Sequence, residues 1–167
     1  MTEPRSVEIG ALRVSNAAPL TLIAGPCQLE GLDHALGIAE TLAAACAEHG
    51  AEFIFKASYD KANRTSLGGK RGLGIDEGLR MLSEVRRRIG CPVLTDVHLP
   101  DDCAIVAQAV DVLQIPAFLS RQTDLLLAAG ETGAAVNIKK GQLLAPWDMF
   151  NVAAKVASTG NERILLC

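Results

Sequence analysis

The chain alternates short β-rich runs with amphipathic helical stretches along almost its whole length. The runs with the composition of buried strands are residues 20–24, 52–56, 92–97, 112–115, 135–139 and 164–166. The segments between them place apolar residues at helical spacing, most clearly over residues 75–89 and also near 32–46, 101–109, 123–129 and 148–157. Such alternation is typical of βαβ units that build a parallel sheet.

The number of strands narrows the fold class further. Six strands and five crossovers in regular succession indicate a (β/α)8 TIM barrel, shortened here after about six strands, because the complete fold takes eight strands and ~250 residues. Residues 7–14, broken by Gly10, are predicted to form a β-hairpin that precedes the first core strand. We therefore expect an α/β chain that is a single, partial TIM-barrel domain over residues 1–167.

Composition excludes several classes of function. The hydrophobic fraction of 49% and the charged fraction of 21% are values of a globular protein. No apolar run approaches the ~20 residues of a membrane span, and the N-terminus does not read as a signal peptide. Five scattered cysteines indicate reduced thiols in a cytoplasmic protein. A net charge of −3 with few aromatic residues argues against nucleic acid as a partner.

One segment concentrates positive charge. Residues 56–71, called the basic loop below, carry a net charge of +4, against −7 for the rest of the chain. The loop follows an apolar strand and interleaves its Lys and Arg residues with Asn, Thr and Ser. Lys point charges and forked Arg donors suit phosphate and carboxylate oxygens. The alternative is a solvated charged loop; we favour a site for a small, densely anionic ligand.

Polar residues recur near the C-terminal ends of the predicted strands. Because alternate residues share a face, these polar positions form same-face sets: Lys56 with Ser58, Asp96 with His98, Asn137 with Lys139, and Gln114 alone. The C-terminal end of a barrel hosts the active site, and buried charge is costly there without a ligand or partner. The alternative for Asp96 is an internal ion pair with a lysine.

Four further residues have two interpretations each. Arg121 opens a predicted helix and either is solvated or reaches a substrate phosphate. Cys27 follows the first core strand as a lone thiol, which is either a small apolar filler or a metal ligand. Trp147 and Tyr59 either pack in the core or line a site.

Several motifs resemble those of one enzyme family. They are Ile-Ala-Gly-Pro-Cys (23–27), Phe-Lys-Ala-Ser-Tyr-Asp-Lys-Ala-Asn-Arg-Thr-Ser (55–66), Thr-Asp-Val-His (95–98), Leu-Gln-Ile-Pro-Ala-Phe-Leu-Ser-Arg-Gln-Thr-Asp (113–124), Val-Asn-Ile-Lys-Lys-Gly-Gln-Leu-Leu-Ala-Pro-Trp-Asp (136–148) and Ser-Thr-Gly-Asn-Glu (158–162). Together they resemble the 3-deoxy-D-manno-octulosonate 8-phosphate synthases. The sister heptulosonate 7-phosphate synthases have Pro-Arg-Thr-Ser where this chain has Ala-Asn-Arg-Thr-Ser.

The resemblance implies a cytoplasmic, homotetrameric transferase of lipopolysaccharide biosynthesis, which condenses phosphoenolpyruvate with arabinose 5-phosphate and water and releases phosphate. It implies that phosphoenolpyruvate is held by Lys56, Ser58, Lys61, Gln114 and Lys139. The pentose phosphate would be clasped by Asn63, Arg64 and Thr65, with Arg121 from a neighbouring subunit. Lys61, Asp96 and His98 would act at the reacting centre.

The resemblance also implies a divalent metal ion, such as Zn, Fe or Mn. Cys27 would be one ligand and would mark the metal-dependent branch. The family's other ligands (His, Glu and Asp) come from later strands, which this chain does not contain. Two alternatives therefore stand beside the synthase: a non-catalytic fragment that binds sugar phosphate or phosphoenolpyruvate, and the related heptulosonate 7-phosphate synthase.

Overall fold

The computed structural model describes residues 5–167 and alternates strands with helices. The strands are β1 (Ser6–Ile9), β2 (Leu12–Ser15), β3 (Thr21–Ala24), β4 (Glu52–Lys56), β5 (Val93–Asp96), β6 (Val112–Ile115), β7 (Ala135–Ile138) and β8 (Ile164–Leu166). The helices are α1 (Leu32–Glu48), α2 (Ile75–Ile89), α3 (Pro100–Ala109), α4 (Thr123–Glu131) and α5 (Met149–Ala157). Single-turn 3-10 helices occupy Ala117–Leu119 and Pro146–Asp148.

The first two strands form the predicted hairpin. β1 and β2 pair antiparallel with Val7 opposite Val14, and Gly10 takes a φ of 58° in the turn between them. A positive φ is easily reached only by glycine, which is why this residue permits so short a connection. Val7 and Ile9 are buried while their strand neighbours are exposed, so one face of the hairpin packs against the protein.

The other six strands belong to one sheet in the order β3-β4-β5-β6-β7-β8, and the registered pairs are parallel. Each crossover between successive strands carries one helix, as expected for βαβ units. All four residues of β5, β6 and β7 are buried, which is typical of parallel strands covered on both faces.

The helix α2 shows how local sequence sets the ends of these elements. Asp76 and Glu77 lie in its first turn and arginines in its last turn, where they complement the helix dipole. Gly90 adopts the left-handed conformation and ends the helix, with its N–H bonded to the carbonyl of Arg86. The face that carries Leu79, Leu82 and Val85 is buried.

The chain divides into two compact units, the first ending at Thr95 and the second comprising Asp96–Cys167. The first unit contains the hairpin, α1, α2 and the basic loop, and the second contains α3, α4 and α5. The expectation of a single domain over residues 1–167 therefore stays a prediction. Within the described residues, none of the helices combines the length and apolarity needed to cross a lipid bilayer.

Candidate functional site

The basic loop begins where β4 ends, and its first two polar side chains contact each other. Lys56 lies at the last position of β4, and its Nζ donates a hydrogen bond of 2.9 Å to Ser58 Oγ. Ser58 is fully buried and Lys56 is half-buried. The two side chains predicted to share a face are thus in contact, and Ser58 lies beyond the end of β4.

Glycine allows the first unit's strand ends to approach closely. A methyl group at Gly25, just after β3, would lie 2.0 Å from the carbonyl oxygen of Lys56. No side chain fits in that space, so the Ala-Gly-Pro-Cys turn packs directly on the backbone that presents Lys56.

The two ends of the basic loop are tied together. Arg71 donates to both oxygens of Asp60, with 2.8 Å between Nε and Oδ1, and the Lys61 N–H donates to the Arg71 carbonyl. The hydrogen bond to Asp60 and its negative charge raise the pKa of Arg71. Arg71 therefore closes the loop on Asp60.

Arg64 is held at the centre of this loop by two hydrogen bonds. Its Nε donates to the Lys70 carbonyl at 2.7 Å, and its Nη2 donates to Oε1 of Gln28. Gln28 follows Cys27 and is only 7% exposed. A guanidinium has five N–H donors, so three of those on Arg64 have no partner in the described part of the chain. The arginine is thus oriented yet retains donors for an oxyanion.

The two sequence neighbours of Arg64 and a further lysine of the loop, Lys61, are at least partly exposed. Asn63 and Thr65 are exposed and flank the arginine, and Lys61 is half-buried. These three predicted ligand residues therefore sit on the same loop as Arg64, within the first unit.

In the second unit, three buried side chains form a continuous hydrogen-bonded series, called the amide chain below. Gln114 on β6 donates through Nε2 to Asp96 Oδ1 at the end of β5. Asn137 on β7 donates through Nδ2 to Gln114 Oε1 at 2.9 Å. Asp96 and Gln114 are each 6% exposed and Asn137 is 1% exposed. The amide chain crosses three strands because Gln114 and Asn137 are paired in register.

The Asp96 carboxylate accepts a hydrogen bond from the neutral amide of Gln114, and both interpretations of Asp96 stay open. His98 lies half-buried just beyond β5, and Lys139 is exposed just beyond β7, with its N–H bonded to the Ile115 carbonyl. Polar groups of the second unit thus gather after the C-terminal ends of its strands, as predicted.

Arg121 lines a cavity of about 280 Å³ in the second unit. The other lining residues are Leu144, Asp148, Asn151, Val152 and Lys155. Lys155 Nζ donates to the Arg121 carbonyl at 3.2 Å and to Thr123 Oγ1 at 2.8 Å, which anchors the turn before α4. The guanidinium of Arg121 is exposed, so both of its earlier interpretations stay open.

Two of the thiols differ in burial. Cys27, the predicted metal ligand, is exposed on the turn after β3, whereas Cys103 is buried in α3. Burial, with a smaller contribution from the charge of Asp102, raises the pKa of Cys103 to about 11. Across residues 5–167, no three His, Cys, Asp or Glu side chains gather closely enough to hold a metal ion. The described residues therefore do not make a complete site for the implied metal.

The two aromatic residues are also placed. Tyr59 is 4% exposed and packs its Cβ over Gly78 of α2, so it belongs to the core. Trp147 is 77% exposed in the 3-10 turn that precedes α5.

Two residues were not selected from the sequence. Gln28 orients Arg64 from 36 residues away, and Asn137 was noted only for its shared face with Lys139. The available signal was polarity in an apolar context, because Asn is disfavoured within strands and Gln28 lies next to a buried leucine.

Comparison with known proteins identifies the family. Residues 7–167 match the family described as DAHP synthetase I. The chain belongs to the DAHP synthetase I family. The predicted fold class is thereby confirmed: an α/β chain of the TIM-barrel type with an N-terminal hairpin and six parallel strands.

Three relatives that the chain matches share one name. The 2-dehydro-3-deoxyphosphooctonate aldolase of Granulibacter bethesdensis is 60% identical over 164 residues, which cover 98% of this chain and 58% of the relative. The same-named protein of Bartonella henselae is 52% identical over 100% of this chain and 60% of its own length. That of Rickettsia bellii is 59% identical over 96% of this chain and 58% of its own. The chain thus spans about three fifths of the relatives it matches.

Proposed function

We propose that the protein takes part in the condensation of phosphoenolpyruvate with D-arabinose 5-phosphate and water, which gives 3-deoxy-D-manno-octulosonate 8-phosphate and phosphate. The single observation that carries this proposal is the 60% identity to a 2-dehydro-3-deoxyphosphooctonate aldolase over 98% of the chain. The basic loop supports it, because a bis-anionic pair of substrates needs oriented cations and Arg64 is oriented.

The first unit supplies the residues for phosphate and carboxylate groups. Asn63, Arg64 and Thr65 bind the phosphate of the pentose, and Lys56 with Ser58 binds phosphoenolpyruvate. Lys61 contributes to phosphoenolpyruvate binding and stabilises the charge that develops in the reaction.

The second unit supplies further residues that bind and orient both reactants. Gln114 and Lys139 hold phosphoenolpyruvate, and Asp96 and His98 act near the sugar. Arg121 binds the pentose phosphate of a neighbouring subunit in a homotetramer.

The chemistry follows from these roles. C3 of the enol forms a bond to the aldehyde carbon of the pentose, and the aldehyde oxygen becomes an alkoxide that Lys61 stabilises. A water adds at C2, and the hemiketal phosphate then breaks its C–O bond and releases inorganic phosphate. Holding both anionic reactants in place supplies a large part of the rate.

We place the protein in the metal-dependent branch because of Cys27, which would ligate a divalent ion of the Zn, Fe or Mn type. The described residues do not complete that ligand set, so no step above is routed through a metal. We also propose a cytoplasmic location and a role in lipopolysaccharide synthesis.

A second candidate is a fragment that binds these ligands without turnover. It is favoured by the incomplete ligand set among the described residues. The test is release of phosphate from the two substrates with Mn²⁺ or Zn²⁺ supplied, beside isothermal titration of each substrate alone. Turnover supports the synthase, saturable binding without turnover supports the fragment, and no binding contradicts both. Preference for erythrose 4-phosphate over arabinose 5-phosphate would instead support the heptulosonate synthase.

A further inference from the structure

The amide chain has a fixed polarity. A carboxylate accepts hydrogen bonds and cannot donate them, so the side of Gln114 that faces Asp96 must be its NH₂ group. Oε1 of Gln114 then faces Asn137, and Asn137 must turn its own NH₂ group toward that oxygen. Reversing the Asn137 amide would set two carbonyl oxygens against each other. The charge on Asp96 therefore determines which atom of Asn137 is left over.

The atom left over is Oδ1 of Asn137, and it is buried without a donor. Asn137 is 1% exposed, and no donor in the described part of the chain lies within hydrogen-bonding distance of Oδ1. Its Nδ2, by contrast, is used fully, since it donates to Gln114 Oε1 at 2.9 Å and to Cys167 Sγ at 3.5 Å. Burying an acceptor without a donor is destabilising, so such atoms are rare in native proteins and call for an explanation.

Another buried asparagine of the same unit shows the contrast. Asn161 is 8% exposed, and its Nδ2 donates to the carbonyls of Gly130 and Ala134 at 3.1 and 2.8 Å. Its Oδ1 accepts from the Arg163 N–H at 3.0 Å. Asn161 is thus satisfied by the backbone and has a structural role, whereas the Asn137 acceptor has no protein partner.

We propose that Asn137 is a further substrate-binding residue, whose Oδ1 accepts a hydrogen bond from a hydroxyl group of the sugar phosphate. This inference rests on the proposed function. Phosphoenolpyruvate at neutral pH presents only acceptor oxygens, while arabinose 5-phosphate carries hydroxyl donors. Asn137 shares its strand face with Lys139, two residues nearer the C-terminal end of β7, so the acceptor lies on the face that bears a proposed ligand lysine.

The test compares Asn137→Leu with Asn161→Leu in the 167-residue chain. Isothermal titration measures the Kd of arabinose 5-phosphate and of phosphoenolpyruvate for each protein, and thermal unfolding measures stability. We expect Asn137→Leu to raise the Kd of arabinose 5-phosphate about tenfold and to change the Kd of phosphoenolpyruvate by less than about twofold. Asn161→Leu should change neither Kd. It should lower the melting temperature more than Asn137→Leu does, because it leaves several backbone groups without their hydrogen-bond partner.

Other outcomes contradict the inference in distinguishable ways. If Asn137→Leu weakens the binding of both ligands equally, Asn137 has a structural role. If it weakens the binding of neither, Oδ1 does not accept a hydrogen bond from the sugar, and a water molecule as the donor would give this same result. If the unaltered chain binds neither substrate, the proposed function fails and the inference fails with it. Should Asn137→Leu not fold, Asn137→Val replaces it, because a branched side chain suits a buried strand and likewise lacks the acceptor.

Discussion

The basic loop and the amide chain differ in exposure, in charge and in the way that their polar groups are held. The loop lies largely at the surface, carries a net charge of +4, and is held by a few bonds such as those of Arg64 and Arg71. The amide chain is buried, carries one carboxylate, and is held by bonds between directly neighbouring strands. Exposed residues of the loop can therefore change at little cost to stability, whereas the hydrogen-bonded atoms of the amide chain contribute to the stability of the sheet.

The largest effect is expected from Gln114→Leu, which would break the amide chain at its centre. The Asp96 carboxylate and Nδ2 of Asn137 would each lose a partner in a buried place. We expect the free energy of unfolding to fall by about 3 kcal/mol, measured by urea titration. The exposed Gln108→Leu on α3 is the matched control and should change it by less than about 0.5 kcal/mol. Equal effects of the two variants would contradict the comparison.

Substitutions of two glycines test the packing of α2 against the start of the basic loop. A methyl group at Gly78 would lie 2.4 Å from Tyr59 Cβ, at the start of the basic loop, so Gly78→Ala should destabilise the protein by about 2 kcal/mol. Gly37 in α1 has nothing within 4 Å of the same position. Gly37→Ala should therefore stabilise by about 0.5–1 kcal/mol through helix propensity alone. Chemical denaturation of both variants checks the opposite signs.

Arg64→Ala tests the ligand side of the comparison. Loss of the oriented guanidinium should lower the affinity for arabinose 5-phosphate about tenfold or more. The melting temperature should change little, because the residue is exposed. Arg64→Lys should restore only part of the affinity, since an ammonium lacks the parallel N–H donors with which a guanidinium binds two oxygens at once. Arg80→Ala removes an exposed, ion-paired arginine of α2 and should leave the affinity unchanged. Titration calorimetry gives all three values, and a parallel loss in Arg80→Ala would point to general electrostatics.

The smallest effect concerns surface ion pairs in the same unit. Hydrogen bonds from Arg87 and then Arg88 lower the pKa of Glu84 to about 2. Because the folded pKa lies below the ordinary value of 4.5, the stabilising contribution is present above about pH 4.5 and is lost as the pH falls toward 2. The melting temperatures of the unaltered protein and Glu84→Gln should therefore converge between pH 5 and pH 2. Added salt should shrink the small difference at pH 5, and a gap that persists at pH 2 would contradict this assignment.

Most element boundaries were predictable because they depend on nearby residues. The predicted α2 over 75–89 matches the structure, since its apolar spacing, terminal charges and Gly90 all act within a few residues. The predicted strand over 92–97 shortens to Val93–Asp96. The single-turn helix at Ala117–Leu119 was missed because three residues give no periodic pattern. The predicted helix start at 148 moves to Met149, since Asp148 belongs to another such turn.

The sequence by itself determined the succession of strands and helices, the faces on which polar residues lie, and the charge of the basic loop, because periodicity and charge are properties of neighbouring residues. Only the tertiary structure decided that Gln28 orients Arg64, that Arg71 closes the loop on Asp60, and that the amide chain leaves an acceptor on Asn137. Those contacts join residues far apart in the chain, and their partners are set by strand register and by the path of a loop, which no local pattern encodes.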